Sequence, residues 1–177
     1  MSRGTAAVYA VGLVMLLSAA ACGQSDSVSD ARIAACGTSQ LSWKMTLLPG
    51  KPHNTPTATL SAAHMGSKPC AFDGYPELSV HVGKGPSAGS KPKESAPVHL
   101  VLKAGHSIAI PVFYDAIGSP SGSCEVMAEY NPRVDVRPPH PTAHDYGSRV
   151  DLTDAKGHHR RAQVCDLDML LGAPQLH

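Results

Sequence analysis

Cysteine carries the chemistry that can be read most directly from this chain. Cys22 follows the apolar stretch Ala6 to Leu17, within Leu17-Ser18-Ala19-Ala20-Ala21-Cys22-Gly23. Small residues in extended conformation ahead of a cysteine suit lipoprotein signal peptidase, and the thiol would receive a diacylglyceryl group. The apolar stretch is short for a bilayer span and right for a signal peptide. The expected mature protein starts at a lipidated Cys22, on the extracytoplasmic face of the cell membrane. Ordinary cleavage after Ala21 satisfies the same small-residue rule and would give a secreted protein.

Four cysteines remain: Cys36, Cys70, Cys124 and Cys165. An even number in an exported chain points to two disulfides, with three pairings open from the count alone. No Cys-x-x-Cys occurs, which argues against a zinc ribbon or a thioredoxin-like site.

Other reactive patterns are weaker on physical grounds. Gly85-Pro86-Ser87-Ala88-Gly89 matches the nucleophile-elbow spacing, but that elbow needs a following helix. Gly89-Ser90-Lys91-Pro92-Lys93 is a poor helix start, so a flexible loop is expected and a secreted hydrolase is the third reading. The 10 histidines and the methionines of the mature chain raise a copper or zinc alternative. His64-Met65 is the most copper-like pair. His140 and His144 have helical metal spacing, but Pro141 and Gly147 oppose a helix. His81 and His99 are expected to face solvent. Tyr114, Tyr130 and Tyr146 are candidate exposed aromatics for carbohydrate stacking. No catalytic residue, metal ligand or cofactor is assigned.

Charge excludes one partner class. Removing residues 1–21 takes Arg3, leaving 14 Lys plus Arg against 14 Asp plus Glu. A neutral chain lacks the basic face that nucleic acid requires. His158-His159-Arg160-Arg161 is locally basic but lies near Asp151, Asp154 and Asp166, and reads as a solvated loop and not a phosphate site.

These residues must be positioned by strands. Residues 22–35 form a polar tether of roughly 20 Å as a coil, and the domain occupies residues 36–177. Leu41 to Leu48 puts Leu41, Trp43, Met45 and Leu47 on one face by period-two alternation. Thr57 to Ala63, Leu78 to Val82, Pro97 to Leu102, Ser107 to Tyr114, Glu125 to Tyr130, Val134 to Arg137, Val150 to Leu152 and Ala162 to Leu167 follow as strands. Met169 to Leu171 suits one helical turn. With 16 Gly and 15 Pro, long helices are excluded. The segments 50–56, 83–96 and 138–147 read as flexible loops. The fold class expected is an all-β, antiparallel β-sandwich with immunoglobulin-like layering, stapled by disulfides.

Cys70-Ala71-Phe72-Asp73-Gly74-Tyr75-Pro76 resembles the Cys-x-x-x-Gly-Tyr-Pro signature of an actinobacterial family, domain of unknown function 4232. Cys36 with Leu41, the run from Leu100 through Gly105 to Tyr114, and Cys124 with Val126 and Pro132 resemble its other blocks in order. The resemblance covers Cys36 to Val136, with Cys165 as a fourth cysteine. Together with chain order it implies the pairs Cys36–Cys70 and Cys124–Cys165. It also implies an extracytoplasmic, often lipoprotein-borne domain, and no activity. In the signature, Gly74 permits positive φ and Pro76 forces Tyr75 into extended backbone, with a cis bond allowed. The reading is a membrane-anchored, non-catalytic binding domain whose partner is an envelope protein or small ligand. Its specificity is expected in loops 83–96 and 138–147.

Overall fold

Alternating apolar residues set most of the strands. In this computed structural model, residues 33–49, 55–117 and 123–177 are described. The strands are β1 Leu41–Leu47, β2 Ala58–His64, β3 Cys70–Asp73, β4 Glu77–His81, β5 Ser87–Pro92 and β6 His99–Leu102. They continue as β7 Ser107–Phe113, β8 Arg133–Arg137, β9 Ser148–Arg149, β10 Leu152–Thr153, β11 Asp168–Leu171 and β12 Gln175–Leu176. Helix among the described residues is limited to two 3-10 turns, Thr38–Gln40 and Ala128–Tyr130.

In β7, Ile108, Ile110 and Val112 are buried while their neighbours are half-buried. Each such side chain contributes about 1.5–3 kcal/mol on leaving water. In β4, Leu78 and Val80 are buried, with Ser79 and His81 on the other face.

Ten strands form one sheet in the order β10-β1-β2-β7-β11-β5-β4-β8-β9, with β12 pairing β7. The remaining two, β3 and β6, form an antiparallel ribbon. Both halves of the large sheet bury residues in one core, Met45 and Leu60 from one side and Val80 and Val136 from the other. A sheet that does this must curl over itself. The all-β, disulfide-stapled class expected from sequence is therefore present. Two pairings are parallel, β1 with β10 and β5 with β11. Long connections separate the partners in each case, which is what parallel pairing requires.

Some elements differ from the sequence reading. Ser87–Pro92, expected to be loop, is strand β5, pairing antiparallel with β4 and parallel with β11. It buries only Ala88, so no apolar alternation marks it. Glu125 to Tyr130, expected to be a strand, is a single bridge at Val126 followed by the 3-10 turn. Ala162 to Leu167 likewise contributes only the bridge partner Val164. Asp168–Leu171, where one helical turn was expected, is strand β11, with Met169 and Leu171 buried by period two. Cys70–Asp73 pairs as a strand within the signature block.

Gly74 has φ 105°, as a turn at that point demands, and no cis peptide occurs among the described residues, so Tyr75–Pro76 is trans. Gly147, φ 79°, lies so close to β8 that an added Cβ would sit 2.5 Å from the Val136 carbonyl oxygen. The segment 138–147 is tied down rather than slack. Asp145 accepts the Thr38 hydroxyl, the Thr38 N–H at 3.1 Å and the Gly147 N–H at 3.0 Å.

Candidate functional site

Strand β8 turns Val134 and Val136 inward and leaves Arg133, Asp135 and Arg137 outward. Arg149 of β9 stands opposite Asp135, and the Val150 N–H donates to the Val134 carbonyl at 2.8 Å, extending the pairing. After β10 the chain reverses. Thr153 bridges His159, and the Arg160 N–H donates to the Leu152 carbonyl at 2.8 Å. These three segments enclose a cleft of about 450 Å³.

Arg133, Arg149, Arg160 and Arg161 line that cleft, with His159 and Asp151. They are four of the seven arginines in the sequence. The floor is apolar: Val134, Val150, Leu152 and Ala162 line it and are buried. Arg160 is neutralised by Asp154 through Nη2 at 2.7 Å and Nε at 3.2 Å. Arg133, Arg149 and Arg161 take part in no ion pair among the described residues.

Asp154 builds the reversal. Its Oδ1 accepts the Lys156 N–H at 2.9 Å and the His158 N–H at 3.0 Å. Desolvation opposes the carboxylate. The His158 N–H, Arg160, the His158 ring and the Lys156 N–H outweigh it and hold the carboxyl far below its ordinary range. Asp154 is therefore charged at any physiological pH and offers Arg160 a carboxylate partner at the rim.

The neighbouring outer surface of β4 and β8 is different. There a hollow of about 330 Å³ is lined by Glu77, Ser79, His81, Asp135, Arg137 and Tyr146. Its charges are paired: His81 Nε2 lies 2.6 Å from Asp135, and Arg137 lies 3.7 Å from Glu77.

The other candidate residues fall as follows. Cys22, the signal segment and nearly all of the tether lie outside the described residues. Cys36 bonds Cys70, and Cys124 bonds Cys165. The first staples the segment before β1 to β3, where the Cys36 N–H also donates to the Ala71 carbonyl at 2.9 Å. The second sits beside the reciprocal bonds of the Val126–Val164 bridge. Two disulfides indicate an oxidising, extracytoplasmic environment. Among the described residues no helix is long and apolar enough to cross a membrane.

Ser87 stands opposite His81 across β4 and β5. Yet both nitrogens of His81 are engaged elsewhere, Nε2 with Asp135 and Nδ1 with the Gly83 carbonyl at 3.3 Å. The serine also opens a strand, not a helix. His64 is buried while Met65 is 69% exposed, so the copper-like pair does not converge. His140 has φ 54°, which breaks the helical spacing to His144. No three His, Cys, Asp or Glu side chains among the described residues group as metal ligands. His99 is exposed beside Asp73 at 2.5 Å. Tyr114, expected at the surface, is buried, and desolvation pushes its hydroxyl above the ordinary tyrosine range. Tyr130 and Tyr146 are exposed. Trp43 tilts against Phe72 at 6.2 Å and serves packing.

A family model, Domain of unknown function (DUF4232), matches residues 36–166, from the first disulfide cysteine to just past the last. The chain belongs to the DUF4232 family. Searches of curated proteins and of solved structures each returned no match. The DUF4232 match extends thirty residues beyond the resemblance read from the signature and takes in every residue of the arginine cleft.

Within this DUF4232 domain the cleft was only half visible in sequence. The run His158 to Arg161 was legible as basic, and Asp154 does neutralise Arg160. Asp166, however, turns to the Asp115 N–H at 2.6 Å. Arg161 meets Arg133 and Arg149 only through strand pairing, which no local spacing announces.

Proposed function

We propose that this DUF4232 domain is a non-catalytic binding domain of the cell envelope, tethered to the extracytoplasmic face of the membrane by lipid on Cys22. An envelope protein or a small ligand docks at the arginine cleft. The observation that carries this reading is the gathering of Arg133, Arg149 and Arg161, without ion-pair partners among the described residues, over an apolar floor. Clefts of one charge sign with low-dielectric walls focus field and raise the local concentration of an opposite charge. Both ring nitrogens of His81, the residue opposite Ser87, are engaged elsewhere, which favours binding over acyl transfer. The two disulfides and the small-residue run ending at Cys22 favour an envelope location.

The test is made in intact cells. A photoactivatable residue is placed at Arg161, or at the exposed Lys103 on the β6–β7 turn, in chains labelled with radioactive fatty acid. A discrete adduct from position 161 and none from position 103 is expected, with label lost in Cys22→Ala. Equal capture from both positions sinks the cleft reading, and equal labelling of Cys22→Ala sinks the anchor.

A further inference from the structure

We infer that the arginine cleft is a binding site for a phosphate ester, its oxyanion held by Arg133, Arg149 and Arg161. This rests on the binding reading above and adds the chemical class of the ligand.

Three observations lead there. First, the charge is uncompensated. Of the four cleft arginines only Arg160 has a carboxylate partner, Asp154. Asp151 also lines the cleft but forms no ion pair among the described residues. Three guanidiniums outside any ion pair, with Asp151 in the lining and Asp135 across the ladder from Arg149, leave positive charge in excess for a phosphoryl oxyanion to offset. Second, the donors are all guanidiniums. Their planar forks match the tetrahedral oxygens of phosphate in pairs, whereas a lysine cluster would act as point charges. Third, the enclosure fits an organic ester and not a bare ion. A space of about 450 Å³ falls in the range of small-molecule sites. Val134, Val150, Leu152 and Ala162 back the cleft and leave a small apolar edge beside the arginines, against which a short carbon skeleton can rest while the phosphoryl group faces the guanidiniums. The rim's backbone is also preorganised: Asp154 fixes the reversal from which His159, Arg160 and Arg161 emerge, so ordering on binding falls mainly on the arginine side chains.

Such an ester reaches the outer membrane surface from two sources, a soluble phosphorylated molecule or a glycerophospholipid headgroup. Their shared chemistry is the phosphoryl oxyanion, and the experiment separates them. The full chain in neutral detergent is titrated with glycerol 3-phosphate at constant ionic strength, and separately with micelles doped with phosphatidylglycerol. Saturable binding of glycerol 3-phosphate at one site is expected, with acetate at least tenfold weaker. Arg133→Gln, Arg149→Gln and Arg161→Gln should each weaken it by about tenfold or more, the loss of one charge-assisted pair. Arg137→Gln should not change it. Arg161→Lys should fall between, because charge remains and the fork is lost. The arginines are exposed, so ligand-free thermal midpoints should be no lower than the parent's, any relief of repulsion raising them slightly, and show that the variants fold. Binding of doped micelles in competition with glycerol 3-phosphate assigns the lipid source, and binding of the soluble ester alone assigns the soluble one. No saturable binding in either arm, equal affinity for acetate, or unchanged affinity in all three glutamine variants overturns the proposal. Capture from position 161 in cells without phosphate binding would sink the ligand class and leave the binding site standing.

Discussion

At its C-terminal end strand β8 carries Arg137, 3.7 Å from Glu77 on β4, and in its middle Asp135, 2.6 Å from His81. At its N-terminal end the same strand carries Arg133, which has no ion-pair partner among the described residues and shares a cleft with three more arginines. The two regions stand on the same pleat, over the same buried Val134 and Val136. Cross-strand pairing alone does not explain the contrast, since opposite charges across a ladder are favourable wherever they are placed. Where nothing but solubility is asked of the surface, acids and bases alternate. Where cations accumulate unpaired, their repulsion opposes folding, and solvent and salt screen it only in part. On the proposed reading, an anion from outside relieves that repulsion. The paired surface is finished by the chain itself, whereas the cleft, on the reading proposed above, is completed by a ligand.

The strongest way to test that separation is to damage the floor beneath each region equally. Leu152 lies under the cleft and Leu78 under the paired surface, and both are buried. Either one changed to Ala should cost about 2–5 kcal/mol, the usual range for a buried leucine. Chemical denaturation should report similar losses for both. Glycerol 3-phosphate titration under folding conditions should weaken for Leu152→Ala and hold for Leu78→Ala. Equal weakening in both would mean that binding follows overall stability, and the distinction between the regions would fall.

A smaller effect separates the two acids. Asp154→Asn removes the charge that accepts two backbone N–H groups and the Arg160 guanidinium, while keeping the side chain's size. Charge-assisted hydrogen bonds are about twice as strong as neutral ones. Amide hydrogen exchange at Lys156 and His158 should therefore accelerate, with the global midpoint nearly unmoved. Asp135→Asn should leave those two amides alone. Unchanged exchange in Asp154→Asn would show that the reversal is held by its backbone bonds without the carboxylate.

Strands that bury one face announced themselves: Leu78 and Val80 in β4, or Ile108, Ile110 and Val112 in β7, are period-two patterns that burial enforces. Strand β5 did not, because its neighbours on both sides satisfy its backbone while only Ala88 enters the core. Gly, Ser and Pro are tolerated there, and they read as loop. Met169 and Leu171 were legible as apolar but too few to distinguish a turn of helix from a strand. The segment 138–147 looked slack because the hold on it comes from Thr38, distant in sequence. The site shows the same limit. The basic run at residues 158–161 is local and was visible, whereas Arg133 and Arg149 become its neighbours only through the β8–β9 pairing and the reversal after β10.

The smallest expected effect lies on the paired surface. Arg137 and Glu77 are 48% and 68% exposed and 3.7 Å apart, so solvent screens them and Arg137→Gln should cost less than about 0.5 kcal/mol near neutral pH. Arg137 also acts on Asp145. Desolvation raises that carboxyl's pKa, but the Thr38 hydroxyl and N–H, the Gly147 N–H and the Arg137 charge together carry it below the ordinary value of 3.8. A carboxyl whose folded pKa is depressed contributes stability above its unfolded pKa and loses it as pH falls through the folded one. Removing Arg137 weakens the depression, so the acid-side loss should be smaller and end at slightly higher pH, with its onset and the neutral plateau almost unchanged. Denaturation midpoints measured from neutral pH into the acid range below about 4 read both effects. A neutral-pH loss above about 1 kcal/mol would exceed what an exposed pair supplies. It would make Arg137 a structural tie, and the paired surface would then be holding the fold together as well as balancing charge.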